Sequence, residues 1–302
     1  MSPRNSIRGA VDWGALASLR LRAREVAEGV FAASHRSVRR GAGIEFGGFR
    51  EYVRGDDLRW LDRRSLLRHE RLVIRQFETE TDRALCLLVD ASKSMGFSGS
   101  PGSDAKLVFA SILAAALARI ALVGGDPVSL SFIGAEGNGA PVPRSAGGDQ
   151  FDRLVASLEA VRPGGDAYAD PEMLSRALDL LASTTRRGAV VIVLSDLLDA
   201  LPGAADRVAS LASRGCALSV VQVLDRAEVD LPYRGTVRMR AVEGLSEVET
   251  DVDAARTEYV DRLRELTHLW ERAVVVRGGR FLRATTSEDP VKVIRTILGR
   301  LR

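Results

Sequence analysis

Asp90-Ala-Ser92-Lys-Ser94 follows directly on the apolar run Ala84–Val89 and sets one carboxylate and two hydroxyls at alternate positions. These are hard oxygen donors, of the kind a small divalent cation such as Mg²⁺ takes, with Mn²⁺ or Ca²⁺ as the other candidates. A second apolar run, Ala189–Leu194, ends in Ser195-Asp196 and can bring another carboxylate to the same place. If both runs are strands of one open α/β sheet, their carboxyl ends form the edge where such sheets bind ligands. Serine hydroxyls are neutral, so an ion held mainly by them and by one or two carboxylates keeps surplus positive charge. Such an ion attracts a carboxylate from outside, unlike one in the closed, charged cage of a tight calcium site. The same residues could instead cap the following turn and satisfy backbone donors. The second run, ending in Ser195-Asp196, favours the metal.

The elements that must position these residues follow from the pattern of apolar side chains. Leu16, Leu19, Val26, Val30 and Phe31 recur at helical spacing among arginines and predict an amphipathic helix over 13–33. Residues 34–70 show no sustained period and read as an ordered, loop-rich segment. Strands are expected at 71–77, 84–89, 128–133, 189–195 and 217–224, with an antiparallel edge strand near Val142. Helices are expected from a cap at Ser103 or Asp104 to Val123, over 149–160, from Asp170-Pro171 to Thr184, and over 203–214. A hairpin at 236–241 and 246–250 and helices at 252–271 and 288–301 complete the chain. This alternation predicts an α/β fold with a mostly parallel sheet and helices on both faces. Leu107–Val123 contains Ser111 and Arg119 and is shorter than the roughly 20 residues of a membrane span, so it reads as a buried core helix.

The composition, 46% hydrophobic and 27% charged, is that of an ordinary globular protein. Charge is uneven: residues 1–80 hold 16 arginines and 11 acids. A basic head could meet nucleic acid or an acidic partner. Only three lysines occur among 43 basic residues, so arginine is favoured throughout and a solvated face accounts for the excess. No zinc-finger spacing or aromatic-rich RNA motif accompanies it, and nucleic-acid binding is not expected. Cys86 and Cys216 have no metal-ligand neighbours at short spacing and read as reduced thiols. With no apolar leader and no span read, the expected location is cytoplasmic. His35, His69 and His268 are scattered and form no nucleophilic triad pattern.

Together these residues carry a family resemblance. Asp90-x-Ser92-x-Ser94 with Asp196 resembles the metal-ion-dependent adhesion site of von Willebrand factor A-like domains. Upstream, Gly43-Ile-Glu45-Phe46-Gly-Gly48-Phe-Arg50-Glu51-Tyr52 leads to Gly55-Asp56-Asp57-Leu-Arg59. Then come Asp62, Arg63, Ser65, Arg68, Leu72, Val73, Arg75, Phe77 and Glu78. This stretch resembles the signature of the bacterial family called domain of unknown function fifty-eight, over roughly residues 40–302. The resemblance implies a von Willebrand A-like domain at 81–302, preceded by a helix and signature segment at 1–80 packed on it. It implies a non-enzymatic adaptor that works with a MoxR-type AAA+ ATPase. The metal ligands carried over are Asp90, Ser92, Ser94 and Asp196.

Two positions depart from the family pattern. Arg63 stands where a Trp is usual, with Trp60 nearby, and the loop expected to supply a Thr ligand reads Gly164-Gly165-Asp166-Ala-Tyr-Ala-Asp170. Asp166 or Asp170 could replace that Thr, or the site could be degenerate. Arg50, Arg54, Arg59, Arg63 and Arg64 either form internal ion pairs or present a basic partner surface. An Mg²⁺-dependent phosphatase-like hydrolase with Asp90 as nucleophile is the enzymatic alternative. Aspartyl phosphatases typically carry a second Asp two residues on, and Ser92 stands there.

Overall fold

Leu85, Leu87, Val89 and Ala91 point to one buried cluster, and Cys86 and Leu88 to another. Successive side chains of a strand alternate between its two faces, so this strand lies inside a sheet covered on both sides. The computed structural model describes residues 23, 26–27, 45–51, 73–78, 84–99, 105–166, 170–198, 203–240, 242 and 247–299. In chain order the elements are β1 (Glu45–Glu51), β2 (Val73–Glu78), β3 (Leu85–Ala91) and a 3-10 turn at Lys93–Gly96. They continue with α1 (Lys106–Val123), β4 (Val128–Gly134), β5 (Glu136–Gly137), β6 (Val142–Ser145), α2 (Gln150–Ala160) and β7 (Val161–Arg162). Next are α3 (Met173–Thr184), β8 (Val190–Ser195), α4 (Ala204–Ser213), β9 (Ala217–Leu224) and α5 (Arg226–Asp230). The chain ends with β10 (Thr236–Arg240), β11 (Glu247–Asp251), α6 (Val252–Val276), β12 (Arg280–Thr285) and α7 (Pro290–Gly299).

Two compact units result. One comprises Met1–Ala33 with Ala84–Arg302, the other Ser34–Arg83. In the second unit β1 pairs antiparallel with β2, with a bulge between Phe46 and Gly48. Residues 45–51 are thus a strand within a segment expected to be loop-rich. Gly47 and Gly48 interrupt the alternation that would have marked it.

In the first unit the strand order is β12-β9-β8-β3-β4-β6. All pairs are parallel except β4 with β6, which is antiparallel as expected for the edge near Val142. The expected α/β class, a mostly parallel sheet between helices, is the observed one. On one face α1 packs with α2 and α7, and Ala23 and Val26 join the same cluster. On the other face are α3, α4 and α6, with Trp270 fully buried. Helix α1 is buried from Lys106 through Ala118, so it is the core helix its composition implied. By length and composition it could cross a membrane, but most of it is inside the fold. Cys86 and Cys216 are both free; Cys86 is buried and Cys216 half-buried.

Two elements differ from expectation, α3 and the last strand. Helix α3 begins at Met173 rather than at Asp170-Pro171, and no side chain caps it. The residue before α1 is Ala105, without a side-chain cap; Ser103 and Asp104 lie outside the described residues. Arg280–Thr285 forms an additional parallel edge strand whose arginines hid a buried Phe281, Leu282 and Ala284.

Candidate functional site

Asp90, Ser92 and Ser94 leave β3 in succession and are all buried, at 7%, 5% and 6% exposure. The 3-10 turn after β3 winds the chain so that the Ser92 and Ser94 hydroxyls lie 3.1 Å apart. Asp90 Oδ1 accepts the Ser92 N–H at 2.9 Å, and Oδ2 accepts the Ser195 hydroxyl at 2.5 Å. Ser195 Oγ in turn accepts the Leu197 N–H at 3.0 Å. The last residue of β8 is thereby tied to the carboxylate of β3. Burial, reinforced by the negative charge of Asp196, pushes the Asp90 pKa up to about 6 despite the bonds from Ser195 and Ser92.

The loop after α2 docks against this motif through its backbone. Gly164 N–H donates to Ala91 O at 2.8 Å, and Lys93 N–H donates to Gly165 O at 3.3 Å. The approach requires glycine at position 134, where φ is +69° and a Cβ would lie 2.5 Å from Gly164 O. Asp166 follows directly and stands 3.9 Å from the Lys93 ammonium. Asp170 is engaged elsewhere. Its carboxylate lies in the fork of Arg176, with one bond of 3.0 Å from Nη1 to Oδ1 and a second from Nη2 to Oδ2.

Asp196 is only 2% exposed, and each of its oxygens accepts a hydrogen bond. Oδ1 accepts the Leu198 N–H at 3.2 Å and Oδ2 accepts Lys106 Nζ at 2.7 Å. Lys106, fully buried, also donates to Glu228 Oε1 at 2.5 Å and lies 5.7 Å from the centre of the Phe97 ring. Glu228 Oε2 accepts the Asp225 N–H at 2.8 Å and closes a capping box at the start of α5. Burial alone would pull the Lys106 ammonium down; the charges of Asp196 and Glu228 outweigh it and hold the group above the usual lysine value. Sequence reasoning missed Lys106, Glu228 and the Ser195 bond. A signal was present: Lys106 is one of three lysines in an arginine-rich chain and opens an otherwise apolar helix. A compact ammonium fits where the wide guanidinium fork does not.

Arg54, Arg59, Arg63 and Arg64 lie outside the described residues, as does Trp60; Arg50 lies in β1 opposite Ile74.

The residues present fit a small divalent cation in part. Six oxygens around Mg²⁺ at about 2.0–2.1 Å are about 3 Å apart along an edge, and the Ser92 and Ser94 hydroxyls are 3.1 Å apart. The buried Asp90 carboxylate stands beside them, and Asp166 adjoins the turn. Among the described residues no group of three or more His, Cys, Asp or Glu side chains gathers as a metal cluster, so hydroxyls are essential to this set.

Residues 48–268 match the family described as protein of unknown function DUF58. The chain belongs to that family. Another protein similar to this DUF58 chain is the uncharacterized protein Rv1480 of Mycobacterium tuberculosis H37Rv. It is 27% identical over 259 residues, covering 84% of this chain and 79% of Rv1480. Among solved structures, the DUF58 chain is similar to an aerotolerance-related membrane protein from Bacteroides fragilis. The identity is 16% and the TM-score 0.45, with 72% of this chain and 98% of that one covered. It is also similar to a von Willebrand factor type A protein from Catenulispora acidiphila, at 12% identity and a TM-score of 0.35, covering 74% and 43% of the two chains. The cytoplasmic location expected from the sequence is withdrawn; the Bacteroides fragilis protein, for its part, is described as a membrane protein. Reading no leader and no span in a sequence does not tell where a fold of this kind is held.

Proposed function

We propose that this DUF58 chain is a non-enzymatic interaction module whose recognition face is the carboxyl end of β3 and β8. The observation that carries the reading is the pair of buried hydroxyls, Ser92 and Ser94, 3.1 Å apart beside the Asp90 carboxylate. Asp90, Ser92 and Ser94 would hold a divalent cation, with Asp166 adjoining. Such an ion supplies Lewis acidity toward an acidic side chain of a partner. Ser195 orients Asp90 through its hydroxyl, and the Gly164-Gly165 loop holds the 3-10 turn in place. Folding does not depend on the ion in this reading, because a ligand at a concentration near its Kd stabilises by only about 0.4 kcal/mol. The partner proposed is a MoxR-type AAA+ ATPase, the pairing implied by the family resemblance.

Isothermal titration of Mg²⁺ or Mn²⁺ into the wild type and Asp90→Ala tests the site. Heat of binding is expected from the wild type alone, and equal heats from both would refute the metal reading. A pull-down with a MoxR-type ATPase, with and without chelator, tests the partner; recovery that ignores the chelator would separate the partnership from the ion.

A further inference from the structure

Lys106 sits where electrostatics does not favour a lysine. It is the first residue of α1, the helix end whose partial positive charge repels a cation. It is also fully buried, and an ammonium stripped of water is costly unless well paired. Two acids from distant parts of the chain, Asp196 and Glu228, hold it there at 2.7 and 2.5 Å. Asp196 follows β8 directly, next to the Ser195 that bonds Asp90, yet its Oδ2 is drawn to Lys106 and its Oδ1 to the Leu198 N–H.

We propose that Lys106 is an internal counter-ion that withdraws Asp196 from the cation site, so that a divalent ion at Asp90, Ser92 and Ser94 keeps positive charge for a ligand carboxylate from outside. The inference rests on the metal-dependent reading of the same site. The charge count makes the role specific. A doubly charged ion facing Asp90 and two neutral hydroxyls retains one unit of positive charge, the charge of Asp166 being offset by Lys93. Released from Lys106, Asp196 would supply a second carboxylate, hold the ion more tightly and cancel its attraction for an acid. Lys106 therefore exchanges ion affinity for acid recognition. The bond from the Asp225 N–H to Glu228 keeps the second acid on the lysine rather than free to swing toward the site.

The test compares the wild type with Lys106→Met/Glu228→Gln, a pair that removes one positive and one negative charge and so leaves the net charge unchanged. Mg²⁺ and Mn²⁺ are titrated into each by calorimetry, after circular dichroism and urea unfolding have established the fold. The double variant is expected to bind either ion at least tenfold more tightly, and affinity within twofold of wild type, or weaker, overturns the inference. If the pair does not fold, Lys106→Gln/Glu228→Gln keeps an amide donor to Asp196 without the charge. At least a threefold gain is then expected, and no gain overturns the inference. Binding by the variant but not by wild type would fell the metal reading of the native chain and leave the role of Lys106 standing. Binding by wild type with no gain in the variant would do the reverse, and heat from neither would overturn both.

Discussion

At the level of single residues, the strand-end cluster is two half-sites with different needs. Asp90 with Ser92 and Ser94 is built of neighbours in sequence, so its spacing could be read directly. Lys106 with Asp196 and Glu228 joins residues 90 and 122 positions apart, and no local pattern announces such a triad. The triad makes Lys106 a consequential side chain for stability. Lys106→Met leaves two acids without their shared cation, one of them deeply buried, and should cost about 3–5 kcal/mol in urea unfolding. Lys106→Arg should not rescue it, because a planar five-donor fork cannot enter a space shaped for a point charge. Its urea midpoint is expected to remain well below that of the wild type. Of the two acids in the loop expected to supply a Thr, Asp166 stands near Lys93 and Asp170 is spent on Arg176.

At the level of elements, the site depends on where β4 hands over to its loop. Gly134→Ala would force a left-handed alanine into the Gly164 carbonyl. The expected loss is about 2 kcal/mol or more, together with weaker ion binding, read by calorimetry on the folded fraction. Helix α6 is tied to the far side of the cluster by Tyr259, whose hydroxyl donates to the Glu228 carbonyl at 2.7 Å. Burial, with the charge of Glu228, pushes the Tyr259 pKa to about 12 from its ordinary 10. Because the folded state holds this proton more firmly, the contribution is fully present below pH 10 and is lost as pH rises through 12. Tyr259→Phe should abolish that alkaline decline, worth about 1–2 kcal/mol after discounting solvent screening. Urea midpoints of both proteins at pH 9, 10 and 11 check it. Most helices and strands were legible because periodicity is local. Strand β12 escaped because Arg280 and Arg283 broke its apolar run; α3 starts at Met173, after a turn in which the Asp170 carboxylate accepts the Glu172 N–H and pairs with Arg176.

At the level of the whole molecule, the alternation of strand and helix fixed the fold class, while the extent of the sheet unit was not evident from it. Ala23 and Val26 belong to the same buried cluster as α1 and the sheet, although they precede β3 by a whole inserted unit. Val26→Asp should therefore weaken the sheet unit itself by roughly 2–4 kcal/mol, seen as a shift of one cooperative urea transition. A separate early transition, with the main one unmoved, would show that the N-terminal residues fold apart. Helix α1 has a consequence during synthesis. It leaves the ribosome as an 18-residue, mostly apolar segment, while Ile294 and Ile297, which share its cluster, are made long after it. Until then a stretch apolar enough for a bilayer is only partly covered, and nascent chains that stall between α1 and α7 are the ones most exposed to aggregation and to capture by chaperones.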